Sequence, residues 1–334
     1  MNGKRLGLLV LSSLVIVLAA SFCLAAVDNE QQQLDQYLSD LKKNPFDTAL
    51  REKIINHVRT MKKAPAIPEA AERAMARGKI AFERAKSRDG FGEAAAELRK
   101  ATDEAPWLAI AYYNLGLARE NAEDFANAIA SFKLYLLAAP AAKDAQAVKT
   151  RIYGLEYKIE QKQKAVTLCD ECDRLNKAGR PNEAVTACRE AIKFDPNFAE
   201  AHYNLGVVLR SMYGTTDAQV TRGCPDAMPE FQEAIRLGYT LNAYTLLGNC
   251  HFYLNDYIKA KNVIEEGMTK DQLTFGFFGD TSGRSYAHCQ LANAYYKLGE
   301  REKALTNYLK AKEFGMVDPL LDNRINELRR ALGR

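Results

Sequence analysis

Apolar residues recur along this chain at intervals of three and four, the spacing that lays side chains along one face of a helix. Val148, Ile152, Leu155 and Ile159 form one such stripe, and Leu321, Ile325, Leu328 and Leu332 form another with the same intervals. The segments RIYGL at 151–155 and RINEL at 324–328 echo one another within these stripes. Two further helices are expected near the start, at about 30–43 and 46–62.

Small residues make a second pattern. From Gly116, the residues Ala128, Phe132, Tyr135 and Pro140 follow at twelve, sixteen, nineteen and twenty-four positions. The same steps from Cys172 meet Ala184, Cys188, Ala191 and Pro196; from Gly248 they meet Ala260, Ile264 and Gly267, and from Ala292 they meet Ala304, Tyr308 and Ala311. Two copies are imperfect. Ala81 leads to Ala94, Leu98, Ala101 and Pro106 with one extra residue, and Gly206 leads to Ala227, Phe231 and Ala234 with nine. Such residues mark where two helices touch.

The phrases PWLAIAYYNLG at 106–116 and PNFAEAHYNLG at 196–206 stand at the head of two of these copies, 90 residues apart. The spacing resembles the tetratricopeptide repeat (TPR), a 34-residue unit of two antiparallel helices with Leu-Gly in the first and an Ala, aromatic, Ala, Pro series in the second. The resemblance covers most of residues 68–315 and implies an all-α solenoid of stacked antiparallel helix pairs. Six units are expected, beginning near 70, 109, 165, 199, 241 and 285. The 90-residue offset is then two 34-residue units with 22 residues between them.

A stacked helix pair leaves an apolar face bare until a neighbour or a half-polar helix covers it. Both apolar stripes therefore read as capping helices, and two stacks are expected. The division is a leader at 1–26, N-terminal helices at 27–67, repeats one and two at 68–142, a linker or cap at 143–164, repeats three to six at 165–315, and a terminal cap at 316–334. Insertions interrupt the second stack at 210–226, expected to lengthen a turn, and at 268–284. Lys162–Ala178 holds no proline, so the middle cap is expected to run straight into the third repeat.

Composition adds an address. Lys4 and Arg5 precede an apolar run from Leu6 to Ala26, broken only by Ser12, Ser13 and Ser21. This reads as a secretory signal cleaved after Ala25 or Ala26. An uncleaved anchor is the secondary reading, because about 20 apolar residues suffice to span a bilayer. The bulky Phe22 before Cys23 argues against lipid attachment. Either way the remainder is expected outside the cytoplasm, periplasmic or facing outward from the membrane. Residues 1–26 hold two cations and no acids, which leaves 44 Lys and Arg against 42 Asp and Glu. That balance carries no nucleic-acid footprint.

Six of the seven cysteines lie beyond the leader, at 169, 172, 188, 224, 250 and 289. An oxidising compartment permits disulfides. Cys172 stands at the small position of its repeat and Cys188 at the aromatic one, so the two should face each other, either bridged or as reduced thiols packed like small hydrophobes. Cys169-Asp-Glu-Cys172 supports one alternative, a thiol-dependent protein that holds a metal or redox partner through Cys169 and Cys172. Against it, Asp173 rather than His follows the pair and no second paired-cysteine motif supplies zinc ligands.

His202 and His288 share the site of Tyr112, and His251 follows Gly248 by three; packing accounts for them, leaving only His57. There is no Gly-Lys phosphate loop, no HExxH and no G-x-S-x-G elbow. GDTSG at 279–283 reads as a turn. No catalytic, cofactor or metal residue is expected, and the chain is expected not to be an enzyme.

In TPR proteins the first helices line a concave face that holds an extended peptide or a partner helix. The resemblance puts Tyr113, Asn114, Leu117 and Glu120 there, followed by Tyr203, Asn204, Val207 and Arg210. Thr245, Asn249 and Phe252 come next, then Cys289, Asn293 and Tyr296. Asn114 and Asn204 stand where family members bond a ligand's backbone. A clamp for a C-terminal carboxylate needs several cations on this face, and Arg210 is nearly alone. The same aromatics also suit packing between neighbouring repeats. The insertion carries Phe275, Phe277 and Phe278, which either bind or seal a gap between units; long loops in compact repeats are often functional. The expectation is a non-enzymatic exported scaffold for a protein or peptide partner, plausible in envelope assembly, with no nucleic acid and no cofactor.

Overall fold

The structure is a computed structural model and describes residues 29–239, 241–275 and 281–333. The leader at 1–26, Phe277, Phe278 and the first two residues of GDTSG lie outside the described residues, and so does the side chain of Phe275. All regular structure among the described residues is helical. Two compact units divide the chain, one up to Ile159 and the other from Glu160.

In the first unit, α1 (29–43) and α2 (Thr48–Thr60) are followed by two hairpins, α3 (Glu69–Arg84) with α4 (Arg88–Glu104) and α5 (Ala109–Asn121) with α6 (Phe125–Ala138). Helix α7 (Ala145–Lys177) is continuous for 33 residues and serves both units, as its lack of an internal proline suggests. In the second unit, its later half pairs with α8 (Pro181–Phe194). Then come α9 (Ala199–Ser211) with α10 (Asp217–Arg236), α11 (Leu241–Tyr253) with α12 (Tyr257–Phe275), α13 (Thr281–Lys297) with α14 (Arg301–Glu313), and finally α15 (Pro319–Ala331).

Helix ends follow local chemistry. The Asp47, Ser87 and Asp318 side chains accept from backbone N–H groups that the first turn leaves free. Proline opens α8 and α15, where its missing N–H costs nothing. The turn inside four hairpins is the same device, a left-handed residue after the first helix: Glu123, Gly179, Asn255 and Gly299, with φ of 59°, 72°, 62° and 78°. The next backbone N–H reaches back to close it, from Asp124 to Arg119 and from Asp256 to His251 at 2.8 and 2.9 Å.

Each hairpin is held by a small residue against a large one. A Cβ on Gly116 would stand 2.6 Å from the Phe132 ring, one on Gly206 2.7 Å from Phe231, and one on Gly248 2.4 Å from Ile264. In the first hairpin the residue against Leu98 is Gly78, where a Cβ would come to 2.5 Å, not Ala81 as the spacing suggests. Gly78 lies one turn earlier on the same face of α3. Cys172 and Cys188 occupy this position in the third hairpin and form a disulfide with a Cα–Cα distance of 5.3 Å.

Val148, Ile152 and Leu155 bury against Phe132 and Tyr135, whereas Ile159 at the end of the stripe is exposed. Leu321, Ile325 and Leu328 bury against Leu305 and Tyr308. The 210–226 insertion is not simply a longer turn. Its second half extends α10 from Asp217, begun by a capping box between Thr216 and Gln219. Gly223 lets α10 approach α9 closely, since a Cβ there would lie 2.5 Å from the carbonyl oxygens of Leu209 and Arg210. The 268–284 insertion is likewise shortened from both sides, because α12 runs to Phe275 and α13 begins at Thr281. Thr281, Ser282 and Gly283 therefore open a helix and do not form a turn.

Candidate partner-binding face

The first helices of the hairpins carry the residues assigned to the binding face. In the first unit, Tyr113 meets the Phe132 ring edge-on at 6.0 Å and the Tyr135 ring at 5.2 Å. Leu117 leans on the same cluster. Glu120 pairs with Arg151 of α7 at 3.3 Å. Asn114 is partly exposed beside them.

In the second unit the face is tied together by a polar ladder. Arg210 on α9 donates to Asn249 Oδ1 on α11 at 3.1 Å, and Asn249 Nδ2 donates to Gln290 Oε1 on α13 at 2.9 Å. Further along α13, Asn293 Oδ1 accepts from Tyr308 at 2.7 Å and from Arg324 of α15 at 2.8 Å. Arg324 also covers the Tyr296 ring, and the Tyr296 hydroxyl donates to Glu327 at 2.8 Å. The ladder joins three successive hairpins and the terminal cap. A connected network of this kind ties together the helices that carry it, although the buried Arg210 Nε has no partner of its own among the described residues.

Tyr203 stacks on Tyr239 at 4.6 Å, and Val207 packs into the core around Phe231. Asn204 Nδ2 lies 3.2 Å from the Cys169 sulfur. Phe252 is partly exposed and bordered by Tyr253 and Tyr257. Thr245 is buried and donates to Leu241 O at 2.9 Å. Cys289 is half-buried.

These contacts correct two expectations. Asn249 is only 2% exposed and both ends of its amide are engaged, so it links repeats and does not face a ligand. The Cys169–Cys172 pairing required by the thiol reading is broken up, because Cys172 is bonded to Cys188 and burial pushes the Cys169 thiol up to about 11. A thiol held protonated at neutral pH is a poor nucleophile and metal ligand. Among the described residues no group of His, Cys, Asp and Glu is arranged to hold a metal. Cys224 on α10 and Cys250 on α11 are buried free thiols; hydrogen bonding to Cys224 and burial both raise the Cys250 pKa.

Gln290 and Arg324 complete the ladder, and sequence reasoning did not single them out. A signal for each exists. Gln290 precedes Asn293 by three, on the same helix face. Arg324 opens RINEL as Arg151 opens RIYGL, and both cap arginines reach back to the first helix of the last repeat beneath them.

The histidines pack as expected of structural residues. His202 bonds Glu230 at 2.7 Å and the Pro196 carbonyl at 3.2 Å, while His288 bonds Asn307 and stacks on Phe314. The Glu230 hydrogen bond raises the His202 pKa against the opposing effect of burial. A raised folded-state pKa gives stability that is complete below the ordinary histidine value of about 6.5 and is lost as pH rises through the raised value. Burial lowers the pKa of His251 and His288, which gives the opposite slope, so the test must isolate one residue. In urea unfolding, the wild type is expected to exceed His202→Gln by more at pH 5.5 than at pH 8.5. An equal margin at both would remove His202 from this account.

Comparison with known proteins agrees with the geometry. The tetratricopeptide repeat signature matches residues 109–141, 241–269 and 285–314, and a second TPR repeat signature matches 173–212. The chain is a tetratricopeptide-repeat protein. No curated protein matches it. Among solved structures it is similar to MamA, with 22% identity over 62% of this chain and 91% of that one, at a TM-score of 0.35. It is also similar to PilF of Pseudomonas aeruginosa, with 15% identity over 79% and 98% at 0.35. A tetratricopeptide repeat protein from Parabacteroides merdae matches with 12% identity over 90% and 99% at 0.37. At these TM-scores the likenesses carry no functional inference. As a class, TPR chains are protein-interaction scaffolds.

Proposed function

We propose that this protein is an exported, non-enzymatic scaffold that holds a protein or peptide partner against the first helices of its repeats, in assembly or organisation of the cell envelope. The export half is supported by the basic start and apolar run of residues 4–26. The binding half rests on one observation: partly exposed aromatic and amide side chains, among them Asn204, Phe252 and Tyr296, stand on helices that the polar ladder holds in register. Aromatic residues on a rigid support suit the core of a protein interface. Arg210, the cation a carboxylate clamp would use, is already bonded to Asn249, so a mixed apolar and polar partner surface fits better than a charged tail.

The test is recovery of partner from an envelope fraction. Phe252→Ala combined with Asn204→Ala is expected to cut recovery at least tenfold while the circular dichroism spectrum stays helical. Undiminished recovery would exclude this face. N-terminal sequencing of the protein from cells is expected to begin at Ala26 or Val27 if the leader is cleaved, or at Met1 if it remains as an anchor; recovery from the cytoplasm alone would remove export.

A further inference from the structure

Away from that face, the first unit holds a half-open cavity of about 110 Å3 between α2, α4, α5 and α6. Three arginines line it, and each comes from a different helix: Arg51, Arg99 and Arg119. Arg51 is 7% exposed and donates to the carbonyls of Thr102 at 2.8 Å and Pro45 at 2.7 Å, and it also pairs with Asp103. Arg119 donates to Ser131 Oγ at 2.7 Å and to Asn127 O at 3.2 Å. Arg99 stands 3.8 Å from the same Asp103 and covers the exposed ring of Phe46. Asp103 is therefore shared by two of the cations, and Asp124, whose charge also acts on Arg119, does not line the cavity.

Tyr112 supplies the second, independent observation. It is 1% exposed and lines the same cavity. Its hydroxyl lies beside the Arg51 guanidinium, which can only donate to it, and its own O–H finds no acceptor among the described residues. Buried hydroxyls nearly always have a partner, so this donor lacks one that the site is shaped to provide. Burial first, and then the nearness of Arg99 and Arg51, push the Arg119 pKa down, whereas Tyr112 and Asp103 hold that of Arg51 up.

We propose that this cavity binds a small tetrahedral oxyanion of the phosphate or sulfate class, held by Arg51, Arg99 and Arg119 and by the Tyr112 hydroxyl as donor. Guanidinium forks match the oxygens of such an anion in pairs. Thr48 adds a hydroxyl to the wall, while that of Ser131 is engaged in donating to Asn127 O at 2.8 Å. The cavity wall takes Tyr112 and Arg119 from α5 but not Tyr113, Leu117 or Glu120 of the partner face. An anion here bridges α2 to both hairpins, so its binding also clamps the N-terminal helices onto the repeats.

Calorimetry and thermal unfolding of the full chain with sodium phosphate, sodium sulfate and glycerol 3-phosphate test this, with sodium chloride at matched ionic strength as reference. Saturable one-to-one binding is expected, with a rise in Tm that chloride does not give and slower amide exchange in α2. Arg99→Gln, chosen because Arg99 is partly exposed whereas Arg51 is buried, is expected to weaken binding at least tenfold. Tyr112→Phe is expected to weaken it severalfold while changing the anion-free Tm little. Tighter binding of the inorganic anions identifies a free-ion site, and tighter binding of the ester identifies a phosphorylated small molecule. Absence of saturable binding by the wild type, or binding untouched by both substitutions, would overturn the proposal.

Discussion

Phe132→Ala is expected to destabilise the first unit by about 3–5 kcal/mol, the usual cost of emptying a core of a phenyl ring. Phe132 is fully buried between Tyr112, Tyr135 and Ile152, and the glycine across from it has no side chain with which to fill the space. The converse change, Gly116→Ala, puts a methyl group 2.6 Å from a ring that has no room to move. Overpacking of that kind costs about 1–3 kcal/mol. The two effects are coupled through one contact, so in a Phe132→Ala background the Gly116→Ala change becomes neutral or stabilising. A double-mutant cycle in urea measures this, read through the fluorescence of Trp107, the chain's only tryptophan, which packs against Leu34, Leu41 and Ile54 in the same unit. Additive effects would show that the hairpin is not held by this pair.

Loss of the Cys172–Cys188 bridge is expected to cost the second unit about 3 kcal/mol, the loop-closure value for a short loop such as this one. The bridge spans 16 residues, and both cysteines are fully buried. Unfolding in urea with and without reductant, followed by circular dichroism, reads the loss. Mass analysis after alkylation of the unreduced, unfolded protein is expected to show four modified thiols among the six beyond the leader. The variant Cys172→Gly with Cys188→Phe rebuilds the pair seen at Gly206 and Phe231. It is expected to recover part of the lost stability and to become indifferent to reductant. Six modified thiols, or a wild type that reductant leaves unmoved, would contradict a bridge in the native protein.

Both outcomes depend on the same position of the repeat, and that position was readable because it is local. Sixteen residues separate Gly116 from Phe132, Gly248 from Ile264, and Cys172 from Cys188. That is one hairpin, so the partner of each small residue is set by helix period and turn length alone. Where the turn departs from the common length the reading slips. Gly78, not Ala81, meets Leu98, because a helical face repeats every three or four residues and several registers satisfy the pattern. The 210–226 insertion slips for a related reason: Gly223 and Pro225 look like a loop, but the Thr216–Gln219 cap and contact with α9 carry a helix through them.

The sequence by itself determined the class of fold and the facing of Cys172 and Cys188, since each follows from periodicity over at most one repeat. Only the tertiary structure decided what the polar residues of the face are doing. Asn249 is spent between Arg210 and Gln290, 39 and 41 residues away, and the cavity of Arg51, Arg99 and Arg119 gathers side chains from three helices. Hydrogen bonds and charges act on distance in space, and no local period records which distant residues a stack of helices brings within 3 Å.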